Sequence, residues 1–175
     1  MNSSPERSEG RQTSEFQENL ECLRQIYFFA GLTLQSLKVL AYVCSRETFK
    51  KGEVLFQQDD DDGQAFFILS GKAELVHKDE SGDHVIREYQ AEEFLGGLVL
   101  LGSMRRRFSL KAQTDVTCLI LTREKFQTTM EQFPDLLPKI VKTVVERINA
   151  IEGRFLASRS ESCDSCRQMT GFSLL

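Results

Sequence analysis

FLGGLVLLGSMRRRFSLKA, residues 94–112, is the stretch on which the reading of the whole chain turns. The glycine pair Gly96 and Gly97 precedes an apolar run from Leu98, and Gly102 and Ser103 follow it. Then come Arg105, Arg106 and Arg107, and an alternating segment in which Phe108, Leu110 and Ala112 oppose Ser109 and Lys111. This order predicts a turn, a single helical turn and a strand. A helical turn opened by glycine presents backbone N–H groups that have no carbonyl partner, and an arginine nearby adds charge and a forked pair of donors. That combination is phosphate-binding chemistry.

Outward from this segment the chain reads as short strands. Upstream, 46–49, 54–56, 65–69, 73–77 and 85–89 are strand-like and are separated by Gly- and Asp-bearing turns; downstream, 116–121 is a buried strand. Such spacing predicts an all-β barrel or roll over 44–122, with residues 94–112 inside it. The helices lie outside this block. Phe16, Leu20, Leu23 and Ile26 form one apolar helical face with Ser14 as a cap, and Leu37, Leu40 and Val43 form another, capped by Thr33, so 15–43 is expected to be helical. Thr122 caps a short helix over 123–132, which Phe133 and Pro134 stop, and a longer helix follows over about 138–156. Residues 1–14 have almost nothing to bury and are expected to form a disordered tail; 157–175 are expected to form a flexible one.

The long helix carries Leu137, Val141, Val144, Ile148, Ile151 and Phe155 in alternating steps of four and three, which is a heptad seam. Ile140 and Val145 lie off the seam and are expected to face the barrel. Two apolar stripes on one helix favour a homodimer through the seam over simple docking on the chain's own domain.

With 175 residues and 41% apolar content, the chain can bury one ordinary core. A net charge of −4 argues against a sequence-independent grip on nucleic acid. No apolar run approaches a membrane span, and 1–15 lacks the apolar region of a signal peptide, so the expectation is a cytoplasmic protein without membrane contact. Cys44 and Cys118 lie in apolar surroundings and read as buried reduced thiols. Cys163 and Cys166 form a CxxC without the second pair that a structural zinc site needs. Asp59 to Asp62 lack the later Glu of a calcium loop and read as a solvated acidic turn. His77 and His84 flank a hairpin turn. Without further partners they make neither a metal site nor a catalytic constellation, so no enzyme is expected.

Residues 50–56, KKGEVLF, followed by FFILSG and AELV, are similar to the K-G-E-x-I and Y-x-I-x-x-G-x-x-x-V pattern of the cyclic-nucleotide-binding domains. These occur in catabolite activators, protein kinase A regulatory subunits and cyclic-nucleotide-gated channels. The family's phosphate-binding cassette, F-G-E-L-A-L and then R-A-A-T-V, resembles 94–112 with its Gly on Gly96, its Leu on Leu98, its Arg on Arg106 and its hydroxyl on Ser109. Over about 26–156 the resemblance implies a mainly β fold with flanking helices: a double-stranded, jelly-roll-like β-helix with N-terminal helices and a long C-terminal helix.

It also implies a site for cAMP, cGMP or a related small anion formed by Gly96, Gly97, Leu98, Arg106 and Ser109. One residue of slack in the alignment lets Arg105 or Arg107 take the part of Arg106. Leu75 and Val85 are possible apolar walls, and the C-terminal helices would pass a signal to a protein partner. Three departures stand out. The family Glu that holds the ribose hydroxyl falls on Gly97, small residues fall on Arg107 and Phe108, and the loop glycine falls on Asp59. After the long helix too few residues remain for a helix-turn-helix, so a sensor half without a DNA-reading half is expected, with no direct nucleic acid contact. Two rivals stand beside the sensor: a degenerate module used for dimerisation or docking, and a metal-dependent β-helix enzyme, opposed by the missing metal triad.

Overall fold

The computed structural model describes the backbone of residues 6–157 and the side chains of residues 13–154. Helix α1 (Glu6–Gln25) leads through a 3-10 turn at Tyr27–Phe29 into α2 (Leu34–Val43). Eight strands follow: β1 (Ser45–Phe49), β2 (Val54–Phe56), β3 (Gln64–Ser70), β4 (Lys72–Asp79), β5 (Gly82–Gln90), β6 (Phe94–Leu95), β7 (Ser109–Ala112) and β8 (Val116–Thr122). A 3-10 turn, Gly97–Leu100, lies between β6 and β7, and α3 (Arg123–Gln132), a 3-10 turn at Pro134–Leu136 and α4 (Leu137–Ala157) close the chain. The strands form two four-stranded sheets, ordered β1-β8-β3-β6 and β2-β7-β4-β5, and every pairing is antiparallel. This is the mainly β, jelly-roll-like fold with flanking helices that the sequence led us to expect.

Strand periodicity explains how one sheet serves two cores. Along β3, Phe66 and Ile68 point between the sheets with Phe56, Leu110, Val116 and Cys118. Ala65 and Phe67 point the other way, against Leu20, Leu23, Leu40, Phe126 and Ile140 of the helices. Because helices cover its outer face, β3 reads as a continuous apolar run rather than an alternating one. By contrast β5 is exposed along most of its length, with one neighbour only, β4.

Thr33 and Thr122 cap α2 and α3, accepting hydrogen bonds from the N–H groups of Ser36 and Lys125. Three local expectations change. The helix expected from Glu15 already runs from Glu6, through the stretch expected as a tail, because Glu, Arg and Gln are good helix formers that extend a helix anchored by Leu20 and Leu23. Ser14 therefore lies inside α1, where its hydroxyl donates to Glu18 one turn on, and is no cap. Val145 is 49% exposed instead of facing the barrel. The C-terminal segment docks through Leu136 of the 3-10 turn and Ile140 and Thr143 of α4, spaced by four and three, and Val145 lies well around the helix from that stripe.

Candidate functional site

Strand β6 brings the chain to Gly96, whose φ of 83° lies in the left-handed region. A Cβ there would stand 2.9 Å from the Gln64 carbonyl oxygen and 3.0 Å from Nη1 of Arg106, so only glycine lets the backbone pass between them. The 3-10 turn opens next, pinned to the core by Val99 and Leu100, both fully buried, while Leu98 remains half-exposed.

Of the three arginines, Arg105 and Arg107 are exposed and Arg106 is turned inward. Its Nε and Nη2 donate to the two carboxylate oxygens of Asp62, each at 2.9 Å, and Nη2 also donates to the Gln64 carbonyl. The guanidinium lies over the Phe56 ring, 4.0 Å from its centroid. Two backbone bonds fasten the acidic loop to the same residue: Asp59 N–H donates to the Arg106 carbonyl and Arg106 N–H to the Asp60 carbonyl, both at 2.8 Å. Nη1, beside Gly96, donates to no described residue and is free to serve an anion on the turn.

The four aspartates are therefore not merely a solvated turn. Asp62 orients Arg106, and Asp61 accepts from Arg123 at the start of α3 and from Ser103. Arg123, and secondly the Ser103 hydroxyl, hold the Asp61 carboxyl down to about 2. Asp59, standing where the family has glycine, takes the left-handed φ of 72° that the glycine would supply, a conformation aspartate tolerates better than most residues.

A cavity of about 300 Å³ opens beside the turn. Gly96, Gly97, Leu98 and all three arginines line it, and Phe56, Leu75, Tyr89, Leu95, Met104 and Phe108 supply its apolar walls. Its size falls at the lower end for small-molecule sites. Leu75 is a wall as anticipated. Val85 is not, since it is 58% exposed on the outer hairpin and absent from the lining. Ser109 does not line the cavity either; its hydroxyl accepts from the Gln58 N–H at 2.9 Å and so ties β7 to the acidic loop. Phe108 is a wall, held edge-on to His77 with ring centroids 5.7 Å apart, and His77 Nδ1 lies 3.2 Å from the Arg107 carbonyl.

Gly97 lines the cavity with its backbone, but a side chain on it would point the other way. A Cβ on it would stand 2.9 Å from both Phe28 and Phe94, so the ring pair beneath the turn occupies the volume that a side chain here would need. Asp62, Tyr89, Met104 and His77 were not foreseen as site residues. The one available signal was charge: four aspartates between β2 and β3 and three arginines ahead of β7 are complementary runs that the fold brings together.

Elsewhere, His77 and His84, which flank the hairpin turn, are cross-strand partners in the β4–β5 register. His84 Nε2 lies 2.7 Å from the Ser81 hydroxyl and 3.2 Å from Asp79, so both partners share one ring nitrogen and no relay of the catalytic-triad kind exists. No described group of His, Cys, Asp and Glu could hold a metal ion. Cys163 and Cys166 lie outside the described residues. No described helix is long and apolar enough to cross a membrane. On α4, Leu137, Val141 and Ile151 of the expected seam are exposed and Val144 and Ile148 half-buried, while the Phe155 side chain lies outside the described residues.

Comparison with known proteins agrees with the architecture. Mouse cGMP-dependent protein kinase 2 is 28% identical over 144 residues, which is 80% of this chain but only 19% of the kinase, so the chain spans about a fifth of that relative's length. The N-terminal domain of a transcriptional regulator from Streptomyces coelicolor superposes with a TM-score of 0.68 at 22% identity, over 81% of this chain and 96% of that one. The regulatory domain of Toxoplasma gondii PKA, crystallised with cAMP, gives 0.61 at 20% identity, over 74% of this chain and 51% of that one. Residues 46–133, from the first strand to the end of α3, match the family described as "Cyclic nucleotide-binding domain", and the chain belongs to that family.

Proposed function

We propose that the chain is a non-catalytic regulatory module whose cassette cavity takes a cyclic nucleotide, cAMP or cGMP, and whose C-terminal helices carry the response to a protein partner. The observation that carries this reading is the cavity itself, in which Arg106 and the opening of the 3-10 turn meet one apolar space. The cyclic phosphate lies against Nη1 of Arg106 and the N–H groups at Gly97 and Leu98, and the base lies among Leu75, Tyr89 and Phe108. Among the described residues that line the cavity there is no carboxylate for the ribose hydroxyl. One charged hydrogen bond of that kind is worth about 1.5–3 kcal/mol, so affinity falls about ten- to a hundredfold below that of a site which has it. The response route runs through Arg123, which bonds the Val99 carbonyl of the turn at 2.6 Å and Asp61 of the loop while opening α3.

Isothermal titration of the whole chain with cAMP, cGMP and 5′-AMP tests this. One-to-one binding of a cyclic nucleotide that Arg106→Lys weakens about tenfold or more supports it, because lysine keeps the charge opposite Asp62 but loses the fork. Absence of heat and of any thermal shift at millimolar nucleotide retires it.

A second reading is a module that dimerises or docks without nucleotide. Its support is Gly97 packed under Phe28 and Phe94, together with exposed Leu137, Val141, Val145 and Ile151 on α4. Light scattering of the wild type and of Val141→Glu separates the two: a dimer that the variant dissociates favours the seam.

A further inference from the structure

A second cavity, of about 340 Å³, lies on the far side of the cassette turn. It shares Leu95, Gly96, Gly97 and Leu98 with the first, so the two are back to back across one turn of chain. Ile26, Tyr27, Phe28 and Phe94 form one side, and Val144, Ile148 and Ile151 of α4 form the other. None of these side chains reaches Arg106 or the nucleotide cavity.

Three observations bear on what would fill it. The cassette cannot, because a Cβ at Gly97 already meets the Phe28 and Phe94 rings at 2.9 Å. The walls are mainly apolar, and Thr143, the polar residue on the α4 side, already donates its hydroxyl to the Ala30 and Lys139 carbonyls, so water held there finds few partners and leaving the space empty forfeits dispersion contacts along both faces. The lining holds a single charged side chain, Arg147, which is solvent-exposed and bonds no described residue. The nearest carboxylate along α4, Glu146, is engaged by the Tyr27 hydroxyl at 3.4 Å and by Lys142 at 3.8 Å. An apolar cleft with one unmatched cation in its lining complements an apolar body with one negative charge.

We infer that this cavity binds an amphipathic monocarboxylate, its aliphatic or aryl part held between the Phe28 and Phe94 rings and α4, and its carboxylate paired with Arg147. A forked guanidinium suits a carboxylate, and a single cation suits a single charge better than a phosphate dianion. A second copy of the chain is the less favoured occupant, since Val144 and Ile148 are recessed while the convex stripe Leu137, Val141 and Val145 lies beside the cleft.

Decanoate, kept below its micelle concentration, and decanol are the probes, titrated calorimetrically into the whole chain. Expected are one-to-one binding of decanoate, a loss of about tenfold in Arg147→Gln with decanol affinity unchanged, and loss of both ligands in Ile148→Trp, which fills the space. Val144→Phe is the second filling variant should Ile148→Trp unfold, as its circular dichroism would reveal. Decanoate binding that survives in Arg106→Lys separates this site from the nucleotide reading. The proposal is overturned if decanoate gives no heat, if it binds a folded filling variant as well as wild type, or if light scattering shows dimers that the filling variants dissociate.

Discussion

Replacing Gly97 with alanine tests the packing that sets this cassette apart. The added methyl meets Phe28 and Phe94 at 2.9 Å, closer than carbon atoms approach without displacement. Neither ring can easily retreat: Phe28 is edge-on to Phe29 at 5.2 Å and lies 6.3 Å from Phe126, while Phe94 lies 5.6 Å from Phe29. Phe29 and Phe126 are themselves 2% and 1% exposed. Overpacking of this kind costs about 1–3 kcal/mol, against a gain of about 0.4–1 kcal/mol from the stiffer unfolded chain. The net is a loss centred on about 1.3 kcal/mol and at most about 2.6 kcal/mol, or about 3–5 °C in Tm at the centre for a chain of this size. In a Phe28→Leu background the clash is relieved and only the gain remains, so Gly97→Ala becomes neutral or slightly stabilising. Urea and thermal unfolding of the four proteins measure the coupling, expected at about 1–3 kcal/mol. Gly97→Ala that is equally tolerated with and without Phe28 would refute the packing argument, and with it the claim that the rings exclude a side chain from the turn.

Arg106→Ala should destabilise the chain as well as weaken nucleotide binding, by about 3 kcal/mol, because it strands Asp62 in a site where that side chain is only 16% exposed. Adding Asp62→Asn should recover part of the loss in urea unfolding, and no recovery would mean the pair is not coupled. Asp61 titrates at about 2 when folded, against an ordinary value of 3.8, so its ionised form favours the folded state above about pH 4. That contribution disappears as pH falls through about 2; the Tm difference between wild type and Asp61→Asn should therefore be largest near neutrality and close to zero at pH 2, and a difference independent of pH would contradict the Arg123 contact. Burial pushes the thiols of Cys44 and Cys118 up to about 12. Both should resist iodoacetamide at pH 8 in the native protein and react once urea unfolds it, as peptide mapping by mass spectrometry would show.

Much of this protein is local and was legible from the chain alone. Strand spacing, the Thr33 and Thr122 caps and the glycine pair ahead of a short apolar turn depend on neighbours a few residues away, and each appears where the residues placed it. The features that decide the site are long-range. Nothing in RRR says which arginine turns inward; the fold pairs the Arg106 backbone with Asp59 and Asp60 and sets its side chain against Asp62, 44 positions away in sequence, while its neighbours are exposed. Ser109 had the right residue type for the ligand, yet folding spends its hydroxyl on Gln58. The heptad spacing on α4 could not tell Val144 and Ile148, half-buried beside the N-terminal turn, from Leu137 and Val141 on the open side. Gly97 shows the division most plainly. The sequence by itself determined that a carboxylate is missing there. Only the tertiary structure decided that its space belongs to Phe28, brought from nearly seventy residues away, because side-chain volume is contested in three dimensions by whatever the fold packs alongside.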